Sequence, residues 1–314
     1  MILTYGETMA AFRSADAAPL RMGGTMAVSM AGAESTVAIG TCRLGGAARW
    51  VGVVGDDELG RLIAMRLRAE GVLTDGIAIT ADAPTSLILK ERRTAATTRV
   101  SYYRRHCAGA LLSPEHVREE HVRDAAVLHV TGITPALSPS ADEAVRKAVR
   151  LARDHGVTVS FDVNHRSALW SAAEPAGPLR DLARQADVLF AGEAEAALLT
   201  GARGTPREAA LALAGLGPRQ VVVKLGAEGA LALADGEFAA APLLTVPERD
   251  PVGAGDAFAA GFLADLALGR TAAECLETAA RTAAVNVTCD GDWEGLPTRA
   301  ELAALTGGGD PVLR

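Results

Sequence analysis

The stretch from Asp250 to Gly269 reads DPVGAGDAFAAGFLADLALG and joins a turn of small residues to an apolar helical pattern. We predict a strand that ends near Val246, a loop with the sequence PERDPVGAG and a helix that begins at about Asp256. The N–H groups and the dipole at a helix start attract phosphate. Asp256 then stands where an anion would bind, unless it only complements the helix dipole as surface acids often do. The chain has no G-x-x-x-x-G-K-[ST] sequence, so this turn is not a P-loop.

The composition is that of a globular protein. The 314 residues are 49% hydrophobic and 22% charged, and the formal net charge is −7. This charge argues against nucleic acid or an anionic membrane as a partner, since both need a basic surface. The four cysteines contain no C-x-x-C pair and no signal peptide precedes them, so we expect reduced thiols in a cytoplasmic protein. No apolar stretch has the length of a transmembrane helix.

The N-terminal third mixes short strands with helices. Apolar spacing predicts helices over 34–45 and 57–71. Between and around these helices we predict strands over 48–55, 85–91 and 98–105, of which the last two alternate polar and apolar residues as half-exposed antiparallel strands do.

After about residue 110 strands and helices alternate. We predict strands over 125–132, 157–164 and 187–192 and a strand–loop–strand over 219–234. The predicted helices are 139–155, 178–185, 193–200, 206–215, 254–268, 271–288 and 298–305, followed by a loose tail. Short β-branched strands between amphipathic helices indicate an α/β domain with a mostly parallel sheet covered on both faces.

The helix-start motif extends into a longer signature that resembles a known family. Its residues are Asp250, Gly253, Gly255, Asp256, Ala257, Phe258 and Gly261. This string resembles the C-terminal signature of the PfkB-type, or ribokinase-like, carbohydrate kinases. The resemblance implies a ribokinase-like fold over 1–314, with a β lid formed mainly by about 8–30 and 84–105. It also implies ATP and Mg²⁺ as cofactors and a homodimer through the lid.

The same resemblance assigns the phosphoryl-transfer residues. Asp256 becomes the general base that accepts the proton of the attacking sugar hydroxyl, and the amides of Gly253, Ala254 and Gly255 become the anion hole. These roles suit phosphoryl transfer, which needs positioning and stabilisation of charge more than covalent help.

A second motif, MAGAESTVAIG over 30–40, carries a glycine turn into a helix. By itself it is equally well a plain loop-to-helix junction. In the family this region grips sugar hydroxyls, which implies substrate contacts for Gly32, Ala33 and Glu34. Ala31 replaces the usual first glycine and Glu34 the usual asparagine, and "GAE" resembles the subgroup that phosphorylates 2-keto-3-deoxygluconate.

The string YYRRHCAGALLSP over 102–114 brings tyrosines and arginines together at a strand. It is either an exposed edge strand protected by charges or part of a site. Alternation places Tyr102 and Arg104 on one face and Tyr103 and Arg105 on the other. An arginine can form charge-assisted bonds to a carboxylate. The string resembles the same subgroup, which implies that Tyr102 and Arg104 contact the sugar acid.

Two further motifs, HVTGITPALSP over 129–139 and FDVNHRSALW over 161–170, follow predicted parallel strands. Ligands bind at the carboxyl ends of such strands. Asn164 and Arg166 are alternatively simple turn residues. The resemblance to the subgroup makes Ile133 a substrate contact and Arg166 a partner of the substrate carboxylate or of the phosphates.

Near the C-terminus, CDGDWEGLP over 289–297 is either an acidic surface turn or, by resemblance, the place of a substrate-binding Asp292. The string VKLGAEGAL over 223–231 resembles the family's nucleotide segment. It implies that Lys224, Gly226 and Gly229 lie at the nucleotide, although the two glycines are alternatively only a hairpin turn.

Two positions depart from the family pattern. The family places Mg²⁺ through water with an N-x-x-E motif, and in AGEAEAALLTG Glu195 matches the glutamate while Gly192 replaces the asparagine. A tyrosine of the lid strand is replaced by Ile88.

The resemblance implies an ATP- and Mg²⁺-dependent kinase that acts on the C6 hydroxyl of 2-keto-3-deoxygluconate. Arg104 and Arg166 favour such an acid, whereas Ile88 leaves open a neutral sugar or a nucleoside, such as fructose or a riboside. A non-catalytic sensor on the same fold is a third reading, which the presence of Asp256 argues against.

Overall fold

A nine-stranded sheet forms the centre of the computed structural model, which describes residues 1–94, 97–170, 176–242 and 244–306. Its strand order is β13-β12-β11-β10-β9-β8-β1-β4-β5. The pairs from β5 to β11 are parallel, and only β11–β12 and β12–β13 are antiparallel. The strands of this sheet are β1 (Ile2–Tyr5), β4 (Ala48–Gly55), β5 (Ile77–Thr80), β8 (Val127–Thr131), β9 (Thr158–Asp162), β10 (Val188–Gly192), β11 (Gln220–Lys224), β12 (Ala230–Ala234) and β13 (Glu237–Ala241).

Helices cover both faces of the large sheet. They are α1 (Ala33–Arg43), α2 (Glu58–Ala69), α3 (Glu119–Arg123), α4 (Pro139–Asp154), α5 (Ala176–Ala183), α6 (Glu193–Thr200), α7 (Pro206–Ala214), α8 (Ala254–Leu266), α9 (Ala272–Asn286) and α10 (Arg299–Thr306). Buried residues of α4 to α7 pack on one face, whereas those of α1, α8 and α9 pack on the other. The prediction of a doubly covered, mostly parallel sheet is confirmed.

Local sequence explains why these helices begin where they do. The Ser138 hydroxyl accepts the N–H of Ala141 at 3.1 Å, and Pro139 occupies the first position of α4, where a missing N–H costs nothing. Asp57 caps α2 in the same way by accepting the N–H of Gly60 at 2.7 Å. Such caps are signals of short range, so the sequence predicts them well.

A separate four-stranded sheet, called the small sheet below, has the order β3-β2-β6-β7. Its strands are β2 (Met9–Ser14), β3 (Met26–Ala31), β6 (Leu87–Thr94) and β7 (Thr97–Tyr103). They come from the two segments that the sequence assigns to a β lid. The residues Met9, Ile88 and Tyr102 of this sheet line a cleft at the carboxyl ends of the large sheet's strands.

One predicted strand is wrong. No strand ends near Val246, because the last strand, β13, stops at Ala241 and the described residues of 242–253 form neither helix nor strand. Prolines at 242, 247 and 251 explain this, since proline cannot donate to a sheet ladder. Of the predicted loose tail over 306–314, Thr306 ends α10 and the rest lies outside the described residues. Within the described ranges, no helix is long and apolar enough to cross a membrane.

Candidate active site

Asp256 lies in the first turn of α8 and is 9% exposed. The Nδ2 group of Asn164 donates to its Oδ1 at 3.1 Å. Burial, aided by the charge of Asp162, raises the pKa of Asp256 to about 7, against the opposing charges of Arg166 and Lys224. A carboxylate with this pKa exchanges its proton near neutral pH, which is the property that a general base needs.

The turn before α8 requires glycine at its first position. Gly253 has φ +81°, and a Cβ there would lie 2.2 Å from the carbonyl oxygen of Asp292. Gly253, Ala254 and Gly255 all line the cleft beside Asp256, as an anion hole requires. The N–H of Ala254, however, donates to the carbonyl of Pro251 at 3.2 Å, so a phosphoryl oxygen would compete with this long bond.

A cleft of about 770 Å³ lies between the small sheet and the carboxyl ends of the large sheet's strands. All eight residues that the sequence proposes for the substrate line it, together with Asp256. They are Gly32, Ala33, Glu34, Tyr102, Arg104, Ile133, Arg166 and Asp292. Residues from six separate stretches of the chain therefore meet at one cavity, which we call the sugar cleft.

Arg104 is mostly buried and forms an ion pair with Glu7, which lies two residues after the end of β1. The guanidinium of Arg104 lies 5.6 Å from the ring centre of Tyr102, within cation–π range. Strand β7 ends at Tyr103, so the alternation of faces stops there, and Tyr103 and Arg105 also line the sugar cleft. Residues of both pairs therefore lie at the wall of the sugar cleft.

Glu34 is buried, and its Oε1 accepts the hydroxyls of Thr131 and Thr134, each at 2.7 Å. Burial raises the pKa of Glu34, and these hydroxyls oppose the rise. A Cβ at Gly6 would overlap the carboxyl group, so the glycine makes room for it. One oxygen of Glu34 is thus held by the fold at the wall of the sugar cleft.

A second cleft, of about 1,020 Å³, adjoins the sugar cleft and shares Asp256, Gly253 and Arg166 with it. We call it the nucleotide cleft, because the residues that the sequence proposes for the nucleotide line it or the apolar cavity beside it. Lys224, Gly226, Gly253 and Gly255 line the nucleotide cleft, and Gly229 lines the neighbouring cavity of about 360 Å³. Asp256 lies where the two clefts meet.

Gly226 and Gly229 also form the hairpin turn that the sequence left open as an alternative. They have φ +56° and +90°, and Leu225 donates to the carbonyl of Gly229 at 2.9 Å. Strands β11 and β12, which this turn joins, are antiparallel. The hairpin reading is confirmed, and it does not exclude a role at the nucleotide.

Glu195 lies in the first turn of α6 and lines the nucleotide cleft. Its two oxygens accept backbone N–H groups, from His165 at 2.7 Å and from Gly192 at 2.6 Å. Among the described residues no group of three or more His, Cys, Asp or Glu side chains could hold a metal ion. Glu195 therefore fits a metal only through water, with phosphate oxygens as further ligands.

The sequence reasoning missed three buried charged residues, which are Asp162, Lys90 and Glu7. Asp162 accepts the Nζ of Lys224 with both oxygens at 2.8 Å, and Lys90 forms an ion pair with Asp292. Glu7 is the partner of Arg104. Asp162 and Glu7 end or follow parallel strands, a position that marks ligand sites in α/β sheets and could have indicated both. Lys90 lies in an alternating strand and carries no such signal.

Comparison with known proteins agrees with this geometry. A model of the family described as pfkB family carbohydrate kinase matches residues 1–299. This chain belongs to that family. It is 36% identical over 308 residues to a 2-dehydro-3-deoxygluconokinase of Bacillus subtilis, which covers 96% of this chain and 94% of that protein. It is 34% identical to a protein of the same name from Thermoproteus tenax, covering 97% and 93% of the two chains.

Other relatives in this kinase family differ in their substrates. A 2-dehydro-3-deoxygalactonokinase of Haloferax volcanii is 32% identical, with 98% of this chain and 97% of that protein covered.

Among solved structures, a PfkB protein from Polaromonas sp. JS666 is 34% identical with a TM-score of 0.87, covering 96% and 99% of the two chains. A putative Ribokinase II from E. coli, in complex with ATP and Mg²⁺, is 27% identical with a TM-score of 0.90, covering 96% and 97%. The ribokinase-like fold is confirmed.

Proposed function

We propose that this protein transfers the terminal phosphoryl group of ATP to the C6 hydroxyl of 2-keto-3-deoxygluconate, which is also called 2-dehydro-3-deoxygluconate. The position of Asp256 carries the proposal, because this buried carboxylate lies where the sugar cleft meets the nucleotide cleft. The names of the Bacillus and Thermoproteus relatives support the choice of substrate.

In the proposed reaction Asp256 accepts the proton of the C6 hydroxyl as the hydroxyl oxygen bonds to the terminal phosphorus of ATP, whose bond to the leaving oxygen of ADP breaks. The Asn164 amide holds one carboxylate oxygen, which leaves the other for the hydroxyl. Lys224, Arg166 and the start of α8 place positive charge around the transferred group. The high pKa of Asp256 makes it a stronger base than an exposed carboxylate.

The proposal includes Mg²⁺. Glu195 is the residue that would hold it, through water, because both of its oxygens already accept backbone N–H groups at the wall of the nucleotide cleft. When bound, the ion would neutralise charge on the phosphates. The Mg²⁺-bound E. coli neighbour supports this part of the proposal.

A sugar acid suits the charge of the sugar cleft. Arg104, Arg105 and Arg166 line it, against Glu7, Glu34, Asp256 and Asp292. The Glu7 and Asp292 carboxylates are paired with Arg104 and Lys90, and burial favours the neutral forms of Glu34 and Asp256. A substrate carboxylate therefore meets cations that are not fully neutralised.

The C4 epimer, 2-keto-3-deoxygalactonate, is the second candidate, and the Haloferax relative supports it.

We also propose a cytoplasmic homodimer that pairs through the small sheet. Met22 and Val28, in and beside this sheet, are 73% and 42% exposed, and a second copy would cover them. Light scattering after size-exclusion chromatography tests the dimer, and a monomer that is fully active would refute it.

One assay tests the reaction. ADP release is measured over 2-keto-3-deoxygluconate, its C4 epimer, fructose and ribosides, with an Asp256→Asn variant alongside. We expect turnover of the sugar acid and a loss of about 100-fold or more in kcat for the variant. Turnover of fructose or a riboside without turnover of either acid would refute the substrate, and undiminished activity of Asp256→Asn would refute the general base.

A further inference from the structure

Lys90 is a buried lysine in the small sheet. It lies on β6, is 2% exposed, and its ammonium group forms an ion pair with the carboxylate of Asp292. Lys90 lines the nucleotide cleft, whereas Asp292 lines the sugar cleft. Burial of an unpaired lysine destabilises a folded protein, so Lys90 needs this partner. The contact joins two parts of the chain that are 202 residues apart.

Two arginines on the same face of the small sheet make parallel contacts. Arg13 of β2 is the registered neighbour of Lys90 and bonds Asp290 at 3.0 Å. Arg92, two residues beyond Lys90, bonds Asp290 at 2.6 Å. Three cations of the small sheet therefore hold one segment, residues 289–295, which we call the C-terminal loop.

The C-terminal loop also packs against the anion hole. The carbonyl oxygen of Asp292 comes so close to Gly253 that it leaves no room for a Cβ there, and it accepts the Nδ2 group of Asn286 at 3.1 Å. The N–H of Gly291 donates to Asp250 at 3.1 Å. The loop thus touches the small sheet on one side and the phosphoryl-transfer turn on the other.

We propose that Lys90 is a positioning residue for phosphoryl transfer, which acts through Asp292 to hold the C-terminal loop against Gly253. In this arrangement the small sheet determines the position of two groups. One is the Asp292 carboxylate in the sugar cleft, and the other is the turn that receives the phosphoryl group. Lys90 alone among the three cations bonds the loop residue that touches Gly253; Arg13 and Arg92 bond Asp290 instead.

The inference deepens the proposed function but does not depend on which sugar is phosphorylated. The wild type is first assayed over the substrate panel. Every variant is then measured with the sugar that the wild type phosphorylates. A wrong substrate assignment therefore leaves the test of Lys90 intact.

The test compares Lys90→Met with Lys90→Arg, which keeps the charge, and with Arg99→Met, a loss of an exposed cation on the neighbouring strand β7. We expect Lys90→Met to lower kcat/KM for the sugar about 10- to 100-fold, as small displacements of reacting groups do. Lys90→Arg restores most of this loss, and Arg99→Met is unchanged. Most of the loss falls on kcat rather than on the KM for ATP, since Lys90 acts on the turn that receives the phosphoryl group.

A double-mutant cycle decides whether Lys90 acts through Asp292. Since the loss at Lys90 is transmitted by that carboxylate, Lys90→Met combined with Asp292→Asn should be no worse than Asp292→Asn alone. Thermal unfolding of each variant establishes that it is folded. If Lys90→Met fails to fold, Lys90→Gln, which removes the charge of the ion pair and has a shorter side chain, takes its place. Effects that multiply, or an uncharged Lys90 variant that matches Arg99→Met, would overturn the proposal.

Discussion

The pH dependence of activity follows from the burial of Asp256. Its pKa rises from 3.8 to about 7, and a general base works only when it is ionised. The ionised fraction is then about one half at pH 7, about a tenth at pH 6 and about a hundredth at pH 5. We expect kcat/KM for the sugar to fall by these factors below neutral pH and to level off above about pH 8.

The raised pKa of Asp256 makes activity increase with pH, but it makes the folded protein less stable as the pH rises. Because the folded pKa of Asp256 lies above the unfolded value, the folded protein binds the proton more tightly. The free energy of unfolding therefore decreases as pH rises from about 4 to about 7, by up to about 4 kcal/mol from this group. Asp256→Asn removes this penalty, so the variant should be more stable than the wild type at about pH 8 and similar to it near pH 4.

The assay measures kcat/KM at saturating ATP from about pH 5 to pH 9, together with urea unfolding at about pH 4 and about pH 8. Asp181→Asn, which removes an exposed surface acid on α5, is the matched control and should leave the acid limb unchanged. The reasoning fails if the wild-type profile is flat. It also fails if the residual activity of Asp256→Asn keeps the same acid limb, or if that variant is the less stable protein at pH 8.

Three further predictions concern the rest of the site. Gly253→Ala places a Cβ against the Asp292 carbonyl in a backbone conformation with positive φ, so activity should fall about 100-fold or more and the melting temperature should drop in calorimetry. Arg104→Met should raise the KM for the sugar acid by about tenfold or more in steady-state assays, with the KM for ATP unchanged, because a charge-assisted contact is lost. Glu195→Gln should raise the Mg²⁺ concentration for half-maximal rate about tenfold in a metal titration, whereas an unchanged titration would contradict the metal role.

The sequence alone predicted the features that depend on neighbouring residues. The turn of small residues and Asp256 fall at a helix start because glycine, helix dipole and apolar spacing act within one turn. The alternation of strands and helices predicted the covered parallel sheet, because this pattern also depends on residues that are close together in the chain. Where local signals conflicted, as with the prolines after β13, the predicted strand near Val246 was wrong.

The partners of the buried charges could be decided only by the tertiary structure. Lys224 meets Asp162 across 62 residues, Lys90 meets Asp292 across 202, and Glu7 meets Arg104, for which the sequence predicted a contact with the substrate. A residue pattern states which side of a strand a lysine occupies, but not what the chain brings against that side. The sequence therefore predicted which residues gather at the two clefts, whereas the packing of the small sheet decided how the surrounding charges are paired, because those contacts join segments far apart in the chain.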